Sequence, residues 1–197
     1  NVDEKNVRYD LTVHKSSLSI VNKVLIDNHI DPSKPFLIVH PGSGGSSMDL
    51  PADKFSQLVK LLVDDGHQVI ITGNKNEHAL CEMVKAGSNA TNLAGRFNLD
   101  QLTALISLSC MFISNSTGPI HIAAALNKYV VGFYPKVVSC SKERWGPYTI
   151  KKLIYEPSIE CKDCTIEQCK KLNCMDSIDI HKVFIDIKNV LNKNQEK

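Results

Sequence analysis

Phe36-Leu37-Ile38-Val39, followed at once by His40-Pro41-Gly42-Ser43-Gly44-Gly45-Ser46-Ser47, is the stretch that says most about the fold. The four apolar residues form a short continuous run, which is typical of a strand buried on both faces of a parallel sheet. A helix follows the glycine-rich loop, and its apolar face is marked by Phe55, Leu58, Val59 and Leu62. Strand, glycine-rich turn and helix together predict the first unit of a βαβ fold.

The same alternation continues along the chain. We predict further strands at 68–72, near 93, at 111–114 and at 129–133, with helices at about 76–86, 99–109 and 119–126. Alternating strands and helices imply right-handed crossovers and a parallel sheet covered by helices on both faces. The sequence therefore predicts the α/β class, with a Rossmann-like sheet whose ligands bind at the carboxyl ends of the strands.

The flanking segments complete the expected organisation. We predict a lead-in segment and helix over 1–34, the Rossmann-like domain over 35–158, a cysteine-rich loop over 159–176, and a final helix and tail over 177–197. Residues 152–155 are expected to be extended, and the final helix is expected to pack back on the domain.

Composition narrows the class of protein. The 197 residues suffice for one main core, and the apolar fraction of 43% is ordinary for a globular protein. The net charge of +2 argues against a nucleic-acid partner. Neither a transmembrane run nor a signal peptide is evident, so we expect a cytoplasmic domain. The chain starts at Asn1 rather than at Met, and one expectation is that a further part precedes it.

Two loops at predicted strand ends carry the candidate chemistry. In the first, backbone amides and hydroxyls of Ser43, Gly44, Gly45 and Ser46 could surround phosphate oxygens. This loop has neither a Walker A pattern nor the GxGxxG fingerprint, and the alternative is a flexible connection.

The second loop is Ser114-Asn115-Ser116-Thr117-Gly118-Pro119-Ile120-His121, and it runs into a predicted helix. Helix N-termini favour bound anions, and the His121 ring is close enough to reach the same anion. The alternatives are ordinary helix capping by Ser116 and Thr117, and a core position for His121. Two such loops in one parallel sheet favour a diphosphate held between them.

These motifs occur in the order found in a known family. His40 to Gly45 through Pro51, Thr72-Gly73 with Glu77, Leu93-Ala94-Gly95, and Ser114 to Leu126 resemble the C-terminal domain of glycosyltransferase family 9, the ADP-heptose:lipopolysaccharide heptosyltransferases. The resemblance covers about 35–148. It implies the C-terminal half of a two-domain glycosyltransferase B fold that binds an ADP-sugar, with ADP-heptose as the expected donor.

The resemblance also implies partners and an assignment of roles. The missing N-terminal half would bind a lipopolysaccharide or other glycan acceptor and supply the general base, at the inner face of the cytoplasmic membrane. This chain alone is then expected to transfer sugar poorly or not at all. No cofactor is required by such a reaction.

Carried over residue by residue, the family pattern gives each motif a ligand group. Ser43, Gly44, Thr117, Gly118 and His121 fall at phosphate-binding positions, and His121 could also stabilise the leaving group. Glu77 falls where the family binds ribose; the alternative is an exposed acid at the start of a helix. Gly95, within 93–97, falls near the adenine pocket.

Two departures from the family pattern bear on the donor. Ser116 stands where many members have Asp, and Met48 stands near a position usually held by Lys or Arg. Lys54, Lys75 or Lys142 could compensate for the missing cation. The alternatives to a transferase are a non-catalytic nucleotide-binding module and a nucleotide-sugar epimerase-like domain.

Two further features lie outside these loops. Cys161, Cys164, Cys169 and Cys174 could hold a structural Zn²⁺, form disulfides, or remain reduced thiols. Trp145, beside Arg144, could pack on a sugar ring, on a partner domain, or in the core.

Overall fold

The computed structural model describes residues 9, 11–159 and 165–195. Its centre is a six-stranded parallel sheet with the strand order β3-β2-β1-β4-β5-β6. The strands are β1 (Phe36–His40), β2 (Gln68–Ile71), β3 (Thr91–Asn92), β4 (Met111–Asn115), β5 (Tyr129–Phe133) and β6 (Lys152–Tyr155). The parallel α/β fold expected from the alternation of strands and helices is confirmed.

Helices connect and cover these strands. They are α1 (Lys15–Asp27), α2 (Ala52–Asp64), α3 (His78–Lys85), α4 (Leu99–Leu108), α5 (Gly118–Ala125), α6 (Lys142–Trp145), α7 (Ile166–Leu172) and α8 (Ile180–Gln195). Short 3-10 turns lie at Lys75–Glu77, Val138–Cys140 and Cys174–Ser177. Gly66 has a φ of +90°, a conformation that favours glycine, just after the end of α2.

The strands divide their side chains between two hydrophobic layers. Val39, Ile71 and Ile113 belong to the layer that contains the buried faces of α2, α3 and α8. Ile38, Ile70 and Phe112 belong to the opposite layer, with α1, α4 and α5. Because successive side chains of a strand point to opposite faces, an unbroken apolar strand fills both layers.

The order of the strands determines where a ligand can bind. From β1 the chain moves outward through β2 and β3, and it then returns to β4 on the other side of β1. His40 pairs in register with Ser114, so the loops after β1 and β4 begin side by side. This is the topological switch point of the sheet, where open α/β sheets bind ligands outside the carboxyl ends of the strands.

The structure differs from the sequence-based expectation in two places. Residues 152–155, expected only to be extended, pair with β5 as the sixth strand. The stretch expected to be a cysteine-rich loop contains α7 and a 3-10 turn. No helix within the described ranges is long and apolar enough to cross a membrane.

Candidate functional site

The loop after β1 is held by the side chain of Asn115, the last residue of β4. The Asn115 amide Nδ2 donates to the carbonyl of Pro41 at 2.5 Å, and Oδ1 accepts from the backbone amide of Leu50 at 2.9 Å. Asn115 is fully buried. The Asn115 side chain thus connects both ends of the loop after β1 to the end of β4. This role was not predicted from the sequence.

Glu77 anchors the middle of the same loop. Its Oε1 accepts from the backbone amide of Gly44 at 3.0 Å, and its Oε2 accepts from that of Asn74 at 2.8 Å. The Asn74 side chain in turn caps the 3-10 turn that contains Glu77. A Cβ at Gly42 would lie 2.2 Å from Glu77 Oε1, so the close approach of the carboxylate requires glycine there. Glu77 is therefore a half-buried capping acid that also shapes the loop.

A first cleft of about 300 Å³ opens between this loop and α4. Glu77 and Thr117 both line it, which brings residues from the two predicted loops to one cavity. Its remaining walls combine small or polar groups near the strand ends with apolar side chains before and within α4: His40, Gly42, Ser43, Gly44, Gly73, Asn74, Phe97, Asn98, Leu99, Leu102 and Pro119.

Gly45 and Gly95, both predicted to contact the donor, do not line either cleft. Gly45 is exposed, with a φ of +82°. Gly95 has a φ of +73° and donates its amide to the carbonyl of Gly73 at 2.8 Å. A Cβ at Gly95 would lie 2.8 Å from Lys75 Cγ. In the structure these glycines shape the chain around the first cleft.

Thr117 stands at the start of α5 and lines both clefts. It occupies the N-cap position, yet its side chain makes no capping hydrogen bond. The alternative of ordinary capping by Thr117 is therefore wrong. Ser116 is buried next to the phenol of Tyr134. The hydroxyl of Thr117 and the amide of Gly118 lie at the positive end of the helix, whereas Pro119 has no amide hydrogen and the Ile120 amide donates to the Thr117 carbonyl at 3.3 Å.

His121 lies one turn into α5. Its ring is partly exposed and lines the second cleft, so the alternative of a core histidine is wrong. Within the described part of the chain no hydrogen-bond partner of this ring is found. Partial burial lowers the pKa of His121, which favours the neutral imidazole at neutral pH.

The second cleft, of about 280 Å³, lies on the other side of Thr117. Ser46, Ser116, Gly118 and His121 come from the two predicted loops, and the segment after β5 supplies Ser139, Cys140 and Trp145. Both clefts are therefore built at the switch point, and Thr117 separates them.

Tyr134 holds the segment after β5 in position. Its hydroxyl donates to the carbonyl of Trp145 at 3.1 Å, and it lies next to Ser116. Burial raises the pKa of Tyr134 to about 12, so the phenol stays protonated. A Cβ at Gly132 would lie 2.6 Å from the Tyr134 ring. Tyr134 links the second predicted loop to Trp145, which neither sequence motif indicated.

Neither cleft is lined by Lys or Arg among the residues that the structure describes. Met48 packs against the hydrophobic core. Of the three compensating lysines considered, Lys54 pairs with Asp176 at 3.7 Å and Lys142 with Glu156 at 2.5 Å. Lys75 is exposed beside Gly95. Of the three lysines, Lys75 is therefore the one without an ion pair to another described residue.

Two buried titratable groups lie at the base of the first loop. His40 Nδ1 is 2.9 Å from Thr72 Oγ1, and burial lowers the pKa of His40 to about 4. Burial raises the pKa of Asp49 to about 6, against hydrogen bonds from Ser43 that lower it. Asp49 Oδ1 is buried without a hydrogen-bond partner in the described part of the structure. Both groups therefore resist the charged form.

Most of the cysteine cluster lies outside the described residues. Cys161, Cys164 and the side chain of Cys169 belong to that part. Cys174 is buried against Val137 and has no disulfide partner among the described residues. The expectation of a metal or disulfide stays a prediction.

Comparison with known proteins gives a consistent family match. The family model described as "Glycosyltransferase family 9 (heptosyltransferase)" matches residues 2–175. Lipopolysaccharide heptosyltransferase 2 of Escherichia coli (strain K12) is 31% identical over 112 residues, which are 53% of this chain and 32% of that protein.

Solved structures share the fold. The structure of E. coli ADP-heptose lps heptosyltransferase II matches with a TM-score of 0.75 at 23% identity, covering 94% of this chain and 54% of that one. The glycosyl transferase family 9 structure from Veillonella parvula matches with a TM-score of 0.79 at 15% identity, covering 98% and 56%. The chain spans about half of the length of these two solved proteins.

Proposed function

The chain belongs to glycosyltransferase family 9, and from this premise we propose that it binds an ADP-sugar, such as ADP-heptose, as the donor for glycosyl transfer. The diphosphate would lie at the N-terminus of α5, between the two clefts. Ser43, Gly44, Ser46, Ser116, Thr117, Gly118 and His121 are the proposed contacts around it. Gly45 and Gly95 would act by shaping the backbone.

The observation that carries the proposal is the uncapped start of α5 at the switch point of the sheet. Thr117 makes no capping hydrogen bond there, and it lines both clefts. A helix N-terminus with the Thr117 hydroxyl and the Gly118 amide beside it offers donors and a positive dipole to an anion. A nucleotide sugar has a nucleoside at one end of its diphosphate and a sugar at the other. With the diphosphate at the start of α5, each of these two groups could occupy one of the two clefts.

The first cleft suits the nucleoside. Phe97 and Leu102 present apolar surface, which a purine ring can cover. Each Glu77 oxygen already accepts one backbone hydrogen bond, and each retains a lone pair for a ribose hydroxyl. Glu77 would thus bind ribose while holding Gly44 in place.

The reaction we propose is displacement at the anomeric carbon of the donor, with ADP leaving. Charge develops on the diphosphate as its bond to the sugar breaks, and donors preorganised at α5 would stabilise that charge. An acceptor hydroxyl must also lose its proton to a base. Glu77 lines the first cleft, which we assign to the nucleoside, and it does not line the second cleft. We therefore assign the general base to a part of the full enzyme outside this chain.

Calorimetric titration with ADP, UDP and GDP tests the donor assignment. We expect ADP to bind more tightly than the other two. Thr117→Ala and His121→Ala should each weaken ADP binding about tenfold, because each removes a charge-assisted hydrogen bond to phosphate. Thr103→Ala on α4 and His181→Ala on α8 are matched controls, because neither side chain lines a cleft.

Other outcomes of this titration would change the proposal. Preference for UDP or GDP would contradict the adenine assignment and leave the transferase family unchanged. ADP binding that is insensitive to both substitutions would place the diphosphate elsewhere. No binding of any of the three would contradict a donor site in this chain.

The proposed acceptor and place of action rest on the family and on the names of its members. We propose a lipopolysaccharide or related glycan as the acceptor, and action at the cytoplasmic side of the membrane. The relative from E. coli is a lipopolysaccharide heptosyltransferase, which supports this choice of acceptor. Family membership also favours a transferase over a non-catalytic module or an epimerase-like domain.

The four clustered cysteines remain our proposed site for a structural Zn²⁺. Their support is the CxxC spacing of Cys161 and Cys164 together with the burial of Cys174. Elemental analysis of the purified chain should find about one Zn²⁺ per molecule, and less in Cys174→Ser. Metal-free protein with titratable thiols at all four positions would contradict the proposal.

A further inference from the structure

The second cleft has walls that combine apolar surface with hydroxyl-bearing side chains, and its described lining carries no acidic or basic residue other than His121. No Asp, Glu, Lys or Arg of the described chain lines it. Four residues with hydroxyl groups, Ser46, Ser116, Thr117 and Ser139, line this cavity together with Trp145, and the Ser46 hydroxyl already donates to the Ser43 carbonyl at 2.8 Å. Hydroxyls that can donate and accept, beside an aromatic surface, suit a ligand with many hydroxyls and no charge.

The position of this cleft follows from the proposed function, on which the inference rests. If the nucleoside occupies the first cleft and the diphosphate lies at Thr117, the group on the outer phosphate extends into the second cleft. Thr117 lines both cavities, so the path from one to the other passes the start of α5. The second cleft is then the place for the transferred sugar.

Trp145 is held in a defined orientation at this cleft. Its Nε1 donates to the carbonyl of Ser139 at 2.9 Å, and its own carbonyl accepts from the Tyr134 hydroxyl at 3.1 Å. The guanidinium of Arg144 lies 5.5 Å from the centre of the indole ring. The only polar atom of the side chain is therefore satisfied, yet 45% of the residue is exposed. What the indole still offers is apolar ring surface.

We propose that Trp145 is a specificity-determining residue that packs its indole against a neutral sugar ring of the donor, while Ser46 and Ser139 bond to the sugar hydroxyls. The C–H groups of a sugar ring present an apolar surface that an aromatic ring can cover. No Lys or Arg is among the described lining residues, although the Arg144 guanidinium lies 5.5 Å from the indole centre.

The sequence provides its own probe, because Trp145 is the single Trp of the chain. We would measure acrylamide quenching of its fluorescence in the wild-type protein, free and saturated with ADP, ADP-glucose or ADP-heptose. ADP should leave quenching nearly unchanged, whereas at least one ADP-sugar should reduce the quenching constant about twofold by covering the exposed ring. Equal quenching in all four samples would overturn the inference.

Calorimetric titration of Trp145 variants distinguishes packing of the indole on the sugar from a general loss of structure at the donor site. Trp145→Ala should weaken binding of the protective ADP-sugar about tenfold and change ADP binding less than about twofold. Trp145→Phe should restore most of the lost affinity, because the ring surface is retained. Phe97→Ala is the matched control, and it should weaken ADP and the ADP-sugar by the same factor, because Phe97 lines the first cleft.

The two proposals fail in different ways. If Trp145→Ala weakens the binding of ADP and of the ADP-sugar equally, or changes neither, then Trp145 does not determine sugar binding. The proposal that this chain binds an ADP-sugar would still stand. If the wild-type chain binds no ADP at all, the proposed function is overturned and this inference with it.

Discussion

Single side chains that touch no expected ligand hold the candidate site together. Asn115 is fully buried, and it satisfies a carbonyl at one end of the first loop and an amide at the other. Buried backbone groups that lose their partners are costly, since water does not replace the lost bonds. The geometry of the loop therefore depends on this amide, and so does any contact that the loop makes with a phosphate.

Asn115→Ala should lower the free energy of unfolding by about 2–4 kcal/mol, because it leaves the Pro41 carbonyl and the Leu50 amide unpaired and opens a small cavity. Urea denaturation measures this change. The same variant should also weaken ADP binding, because the loop loses its anchor.

Asn189→Ala, on the exposed side of α8, is the control for the loss of an Asn side chain. It should change stability by less than about 0.5 kcal/mol. Equal stability of the two variants would mean that the hydrogen bonds of Asn115 contribute nothing net.

The sequence predicted candidate site residues where they lie together in one short motif. Ser116, Thr117 and His121 were proposed from eight consecutive residues, and the structure brings them to one cleft. The contacts of Asn115 and Tyr134 were not predicted. Asn115 bonds to a residue 74 positions away in the chain, and no periodicity or spacing records such a pairing.

Among the elements, α8 shows how the end of the chain stabilises the sheet. Val183 and Ile187 are fully buried in the layer that contains α2 and the strands. Lys188 on the same helix pairs with Asp65, just after α2, at 2.5 Å. This ion pair lies at the surface, where such pairs contribute little, so apolar burial is the main term that holds α8 in place.

Ile187→Ala should destabilise the fold by about 2–4 kcal/mol, since it removes a buried side chain and leaves a cavity between α8 and the core. Ile185→Ala is a matched control on the same helix, because Ile185 is 56% exposed. The control should stay within about 0.5 kcal/mol of wild type in urea or thermal denaturation. Similar losses at both positions would contradict docking of α8 by its buried face.

At the level of elements the sequence was informative about type and order. The strands β1, β2, β4 and β5 were predicted from apolar segments, α2 and α8 from their apolar faces, and α3 and α4 from the alternation of strands and helices. Pairing of β6 was not predicted, because the half-buried residues of an edge strand lack a strong apolar run. The helix α7 was missed because a high density of cysteines was interpreted as a loop.

For the molecule as a whole, His40 and Asp49 have opposite effects on how the free energy of unfolding changes on acidification. The pKa of His40 is lowered from 6.5 to about 4, so on acidification the unfolded chain takes up that proton first and stability falls. The pKa of Asp49 is raised from 3.8 to about 6, so the folded chain takes up that proton first and stability rises. Both effects develop between about pH 6 and pH 4.

Asp49→Asn should therefore make the fold more sensitive to acid. Relative to wild type, the variant should lose about 1 kcal/mol of stability between pH 7.5 and pH 5, with the partial exposure of Asp49 already taken into account. His40→Asn should do the opposite, gaining about 2 kcal/mol relative to wild type over the same interval. Urea denaturation across this pH range measures both differences.

The other titrating groups are common to the three proteins and cancel in the differences. Variants whose stabilities run parallel to wild type at every pH would mean that neither group is perturbed by burial. A gain for Asp49→Asn on acidification would contradict the direction of its shift.

The contact of Asn115 with the first loop also has a consequence for how the molecule assembles. A nascent chain emerges from the ribosome with β1 and its glycine-rich loop well before β4 has been synthesised. Asn115 and the central pairing of β1 with β4 both become available only afterwards. Such sequence-distant pairings form slowly, because the entropy of closing the intervening segment opposes them. During biosynthesis the glycine-rich loop therefore stays without the hydrogen bonds of Asn115 until β4 has been made. A truncated chain that ends before β4 lacks these hydrogen bonds at both ends of the loop.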